Sequence, residues 1–209
     1  MSLETLLRRA DLWRGGDPFP AGVGRDCLST GFPALDARFP GGGWPLGALT
    51  EVLTPRDGIG GMALVLPALA RLSQQRRWIA WVAPPYLPYA PALADAGVDL
   101  SRVLLVHPRA THDGLWAVEQ ILRAGTCSAV LAWPAAGGTR ALRRLQLAAG
   151  TGDTWGVLFR PERMAAEPSP AVLRLRVQAA AQGMSVHILK RRGAGASGPV
   201  WLGHDPPDG

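Results

Sequence analysis

Lysine is almost absent from this sequence. Of 22 basic side chains only Lys190, toward the C-terminal end, is a lysine, and all the others are arginines. Mechanisms that need a lysine in the N-terminal or central region are thereby excluded, whether to neutralise a terminal phosphate, form a Schiff base or act as a general base. Cysteine is scarce too. Cys27 and Cys127 stand far apart in no CxxC or other metal-ligand spacing, which argues against a disulfide framework and a zinc site and fits a reducing compartment. Both read as small apolar side chains. Long apolar runs are also missing. The longest, such as residues 62–70, is too short to span a bilayer, and Met1-Ser2-Leu3-Glu4 lacks the basic-then-apolar order of a signal peptide. The expectation is a soluble, cytoplasmic protein with no membrane partner.

What is present is ordinary for a globular chain: 209 residues, 47% hydrophobic and 18% charged, enough for one sizeable core plus arms. The net charge of +6 has two readings. It marks an anion-binding surface, or, beside 26 glycines, 19 prolines and abundant alanine, the coding bias of a GC-rich genome.

Residues 2–14 place Leu3, Leu6, Leu7 and Ala10 on one helical face and stop at Gly15-Gly16, before a loop-like stretch at 17–22. Residues 1–25 are therefore expected to form an N-terminal helical arm and linker. Leu3, Leu6, Leu7 and Trp13 are its candidate interface residues, packing on the chain's own core or on a partner. From residue 46 short apolar runs alternate with capped amphipathic ones. Strands are expected at 48–53, 78–83, 103–106, 129–133 and 154–159, with helices at 62–77, 88–96, 112–124 and 139–149 between them. Near-continuously apolar strands alternating with helices indicate a parallel sheet covered on both faces. After Pro161 the pattern changes: residues 172–177 alternate apolar and basic side chains, as a half-exposed antiparallel strand would, and 185–190 and 199–202 add to it. The core domain is thus 26–203, with a flexible tail at 204–209.

In an open α/β sheet the ligand site lies at the carboxyl ends of the strands. The loop after the first long strand contains Gly58, Gly60, Gly61 and Met62. Its glycines suit convergence of backbone N–H groups on phosphate, yet Gly61 and Met62 stand where a phosphate loop needs Lys and Ser/Thr.

Three further stretches set the register. They are Leu28-Ser29-Thr30-Gly31-Phe32-Pro33-Ala34-Leu35-Asp36, then residues 41–52 starting Gly41-Gly42-Gly43-Trp44, then Ala96-Gly97-Val98-Asp99-Leu100 with His107-Pro108 and a helix ending Leu122-Arg123-Ala124-Gly125. In order and at matching intervals over residues 28–159, they resemble the ATPase core of RecA-type recombinases. Within that group the chain looks most like the translesion-synthesis-associated ImuA family, often labelled SulA-like, which is similar in length, N-terminal arm and Gly-Ile-Gly remnant. The resemblance implies an α/β fold with a RecA-like core: a mainly parallel central sheet flanked by helices, C-terminal antiparallel strands and an N-terminal helical arm.

Placed in that register, the recombinase's phosphate-loop lysine and following threonine fall on Gly61 and Met62. Its catalytic glutamate falls at about Pro85, and its magnesium-side aspartate on Trp133. Without all three, Mg²⁺-nucleotide is not held, water is not polarised and developing charge is not neutralised. The expectation is no ATPase activity, no cofactor and no metal. No GxSxG follows a strand, and the histidines lack the acidic company that a metal or triad site requires.

The resemblance further implies a non-catalytic accessory protein of SOS-induced error-prone translesion synthesis. Its partners would be an ImuB-type polymerase-like protein, an error-prone polymerase complex and, as a further candidate, RecA. The alternative is a SulA-type cell-division inhibitor that binds FtsZ. Basic clusters at Arg71, Arg76 and Arg77, at Arg140, Arg143 and Arg144, at Arg160 and Arg163, and at Lys190 to Arg192 are either solvated faces or contacts. In RecA-type proteins the loops after the fourth and fifth strands face nucleic acid, which makes Arg140, Arg143, Arg144, Arg160 and Arg163 the candidate DNA or partner contacts. Trp78, Trp81, Trp133 and Trp155 read as core residues, with filling of the pocket a nucleotide would occupy as the alternative for Trp133 at its strand end. Trp13, Trp44, Trp116 and Trp201 read as lying nearer edges and loops, where aromatic anchors favour interfaces. Tyr86 and Tyr89, on a proline-rich loop, are candidate interface residues.

Overall fold

The computed structural model describes residues 27–58, 60–109, 111–134, 137–191 and 197–203. The expected arm with Leu3, Leu6, Leu7 and Trp13, and the tail at 204–209, lie outside these residues. The described chain opens with a small antiparallel pair, β1 (Cys27–Leu28) and β2 (Trp44–Pro45), around a single helical turn, α1 (Pro33–Asp36). Asp36 holds that segment by accepting hydrogen bonds from the Ser29 hydroxyl at 2.6 Å and the Thr30 N–H at 2.8 Å.

The main body alternates strand and helix: β3 (Leu49–Thr54), α2 (Gly61–Ser73), β4 (Trp78–Val82), α3 (Ala90–Asp95), β5 (Val103–Val106), α4 (Thr111–Ala124), β6 (Cys127–Ala132), α5 (Thr139–Thr151) and β7 (Trp155–Pro161). Strands β8 (Leu173–Ala180), β9 (Gly183–Lys190) and β10 (Ser197–Gly203) follow. All eight strands from β3 onward form one sheet in the order β10-β9-β8-β3-β7-β6-β4-β5. It is a mixed α/β fold. β8, β3, β7, β6, β4 and β5 run parallel, whereas β9 and β10 complete the sheet antiparallel.

Strand alternation divides the core between two faces. Val52, Ile79, Trp81, Leu131 and Val157 meet Leu64, Val65, Leu69 and Leu72 of α2 and Leu93 of α3. Ala80, Val82, Val130 and Leu158 meet Val118 and Leu122 of α4 and Leu142 and Leu145 of α5 on the other face. Pro67 sits inside α2, where its missing N–H leaves one helical bond unmade. Gly31, at φ 88°, lets the preceding loop close over that proline, because a Cβ there would lie 2.6 Å from Pro67 Cβ.

Three expectations need correction. The stretch read as a half-exposed antiparallel strand is antiparallel to β9 but parallel to β3, and its Arg174 is buried, 6% exposed. Trp44, read as an edge anchor, is fully buried and packs on Trp155 at 5.1 Å and Phe39 at 5.3 Å between ring centres. Trp78, read as core, is 37% exposed at the start of β4 with the Arg102 guanidinium 5.8 Å from its ring centre. Among the described residues, no helix is long and apolar enough to cross a membrane.

Below the sheet, the ends of α4 and α5 meet backbone to backbone. A Cβ on Gly152 would lie 1.9 Å from the Leu122 carbonyl oxygen, a contact that no side-chain rotation relieves. Arg77 ties the same corner by donating to the carbonyls of Cys127, Gly152 and Asp153, so its charge serves the fold. Gly152→Ala is expected to cost about 2–3 kcal/mol of stability, read as a lower urea midpoint at unchanged slope; a midpoint equal to that of the native chain contradicts this packing.

Candidate functional site at the carboxyl ends of the strands

The connection after β3 crosses the α2 face to reach β4, while those after β5 and β6 run over the opposite face. Their divergence opens a crevice outside the carboxyl ends, the usual ligand position in such sheets. Gly60, at φ 61°, turns the chain into α2, and Gly61 packs against the ring of Phe159. A cavity of about 160 Å³ remains beneath this loop, bounded by Gly58, Gly60, Gly61, Met62, Trp133 and Phe159 among others.

An aromatic stack occupies this half of the crevice. Trp133, just past β6, lies parallel to Phe159 of β7, with ring centres 4.6 Å apart and planes 12° from each other, and leans on Trp81 at 5.9 Å. A second, open region of about 800 Å³ adjoins the stack. At its margin Ala83 adopts φ 51°, uncommon for a residue with a side chain and more so before proline. That turn directs Pro84, Pro85 and Tyr86 along the mouth. The three positions expected to lack catalytic groups, Gly61-Met62, Pro85 and Trp133, all line this crevice.

Beside it lies a buried ion cluster that went unremarked in the sequence. Glu51, fully buried in β3, accepts from Arg160 Nη1 of β7 at 2.5 Å and from Arg174 Nε of β8 at 2.5 Å. The remaining guanidinium donors reach backbone carbonyls: Arg160 that of Gly137, and Arg174 those of Met164 and Glu167. A lone carboxylate in an otherwise uncharged strand, Leu49–Thr54, was the available signal, because a buried charge demands partners.

The candidate contacts therefore separate. Arg160 is 5% exposed and committed to Glu51, so it is not a surface contact. Arg144 bonds with Glu119, which also accepts from Arg123 at 2.8 Å. The hydrogen bond from Arg144 holds the Glu119 carboxyl below its usual pKa against the opposing effect of burial. Arg140 and Arg143 are exposed on α5, and Arg163 is exposed at the crevice mouth. Tyr86 and Tyr89 are each 72% exposed, and only Tyr86 lines the crevice. Burial pushes the Cys127 thiol up, consistent with a packing role. The described residues contain no cluster of three His, Cys, Asp or Glu side chains suited to a metal.

A family model described as cell division inhibitor SulA matches residues 47–156, more than half of the 209-residue chain. The chain belongs to the SulA family. The SulA of Edwardsiella piscicida is 33% identical over 114 residues, covering 52% of this chain and 67% of that protein. The SulA of Pectobacterium carotovorum is 33% identical over 120 residues, 56% of this chain and 70% of its own. Protein ImuA of Caulobacter vibrioides is 33% identical over 137 residues, covering 63% of this chain and 56% of ImuA. Among solved structures, SulA from Pseudomonas aeruginosa aligns at a TM-score of 0.45 with 27% identity, over 54% of this chain and 97% of that one.

The SulA-family match runs from Gly47, before β3, to Gly156, in β7. It contains Glu51 and Trp133, whereas Arg160, Arg174 and Phe159 lie beyond it. The buried cluster thus fastens the C-terminal strands of this SulA-family chain onto the matched part. Glu51→Ala leaves two guanidinium groups buried without a counter-charge and is expected to cost about 3–5 kcal/mol. Equilibrium unfolding in urea measures this, and a loss below about 1 kcal/mol would show that the pairing contributes no more than an exposed ion pair.

Proposed function

We propose that this SulA-family protein is a non-catalytic docking protein of DNA-damage tolerance, built on a core of RecA descent. In this reading it acts in the SOS response beside an ImuB-type polymerase-like protein and an error-prone polymerase, promoting mutagenic bypass of lesions. The observation that carries it is the crevice itself. The Trp133–Phe159 stack stands where an ATPase of this descent would receive nucleotide, and Gly61, Met62 and Pro85 offer no group to bind Mg²⁺ or activate water. What remains is a scaffold with exposed aromatic side chains, including Tyr86, Tyr89 and Trp116, that suit protein contacts.

Similarity to ImuA favours the translesion role, because it covers 63% of this chain, against 52% and 56% for the first two SulA relatives. A second reading, inhibition of cell division through FtsZ, is favoured by the SulA family model and by the larger share of the SulA relatives' own length that is matched. Deletion and overexpression separate the two. The translesion role predicts that deletion lowers damage-induced mutation and that the tagged protein co-purifies with an ImuB-type partner after DNA damage. Filamentation on overexpression, with unchanged mutation frequency on deletion, would transfer the assignment to division inhibition.

A further inference from the structure

The open part of the crevice has a composition that neither an empty nucleotide site nor a bland surface explains. Three separate connections bring a guanidinium to it: Arg56 after β3, Arg109 after β5 and Arg163 after β7. All three are exposed, and none forms an ion pair among the described residues. By contrast Arg123, Arg144, Arg160, Arg174 and Arg176 each meet a carboxylate. Among the described residues Asp57 is the one acidic residue lining the cleft, and the charge of Arg160 is cancelled by Glu51, so the mouth carries surplus positive charge. Its floor is apolar, formed by Leu115, Val118 and one side of Trp133.

A cationic mouth over an apolar floor requires negative charge flanking an apolar group. Guanidinium forks match carboxylates and phosphates alike, so the floor decides between them. A nucleic-acid strand needs successive stacking faces along a basic track. Here Trp133 already stacks on Phe159, and the arginines converge on a single opening from three connections. We propose that this cleft docks an acidic segment of a protein partner. An apolar side chain of that segment seats on the floor, and its flanking carboxylates meet Arg56, Arg109 and Arg163. The inference rests on the docking function proposed above and adds the chemistry of what is docked.

Fluorescence anisotropy on the full chain tests it with three labelled probes: a peptide of Glu-Glu-Leu repeats, its Lys-Lys-Leu counterpart, and oligo-dT. The expected result is saturable binding of the acidic peptide alone, weakened by added salt. Binding should fall about tenfold or more in Arg56→Glu/Arg109→Glu/Arg163→Glu. These side chains are exposed, so that variant should keep the native circular dichroism and melting temperature. Absent binding of the acidic peptide, or binding that the triple variant retains, overturns the proposal. So does tighter oligo-dT binding that the triple variant loses, which would make the cleft a nucleic-acid groove. Capture of the damage-induced partner by the triple variant as well as by the native chain would remove the cleft's role and leave the docking function standing. Peptide binding as expected, with no partner captured by the native chain, would do the reverse.

Discussion

One carboxylate joins the two halves of this sheet. Glu51 sits in β3, fully buried, and engages Arg160 of β7 on one side and Arg174 of β8 on the other. Burying three charges is costly unless each is matched in geometry and hydrogen bonding. Here the leftover guanidinium donors are satisfied by the carbonyls of Gly137, Met164 and Glu167. The cluster therefore fixes the loop before α5 and the short helical turn after β7 as well as the strands. Helices α4 and α5 cover β4, β6 and β7 on that face, and the turn at Glu162–Ala166 takes over beside β3. Without the Glu51 pairing, the antiparallel strands β9 and β10 would be fastened to the parallel sheet through β8 backbone bonds and the core of the opposite face.

The crevice inherits its form from that arrangement. Parallel strands place their carboxyl ends together, and the connections diverge to opposite faces, so a recess forms whether or not anything binds there. In this chain one half of the recess is taken by Trp133 on Phe159, against which Gly61 packs. The other half stays open, with Arg56, Arg109 and Arg163 exposed at its mouth. A stacked pair of large aromatics contributes hydrophobic burial where a polar pocket would contribute little. The same two aromatic side chains thus both fill this half of the recess and pack the strand ends.

Much of the fold was legible because it rests on local pattern. Apolar runs marked the parallel strands β3 to β7, and glycines marked the ends of α4 and α5, whereas the alternating β8 was read as antiparallel and pairs parallel with β3. The errors arose where an identity has two physical roles. Trp44 and Trp78 were read in opposite senses, since indole suits both a core and an exposed strand end, and only the fold puts Trp44 against Trp155. Arginines were harder still. Arg77, Arg160 and Arg174 serve the interior through carbonyls and Glu51, whereas Arg56, Arg109 and Arg163 face the open cleft. No spacing distinguishes these groups, because their partners lie dozens of residues away in sequence. Glu51 was the one local hint, and reading it required knowing that its strand is covered on both sides.

The docking role proposed for this chain requires that the strand-end crevice receive no nucleotide. Calorimetric titration of the native chain with Mg²⁺-ATP measures this directly. The account predicts no saturable heat into the millimolar range. Saturable binding at micromolar concentration, lost on mutation of Gly60 or Gly61, would contradict it, because nucleotide would then have to displace the Trp133–Phe159 stack.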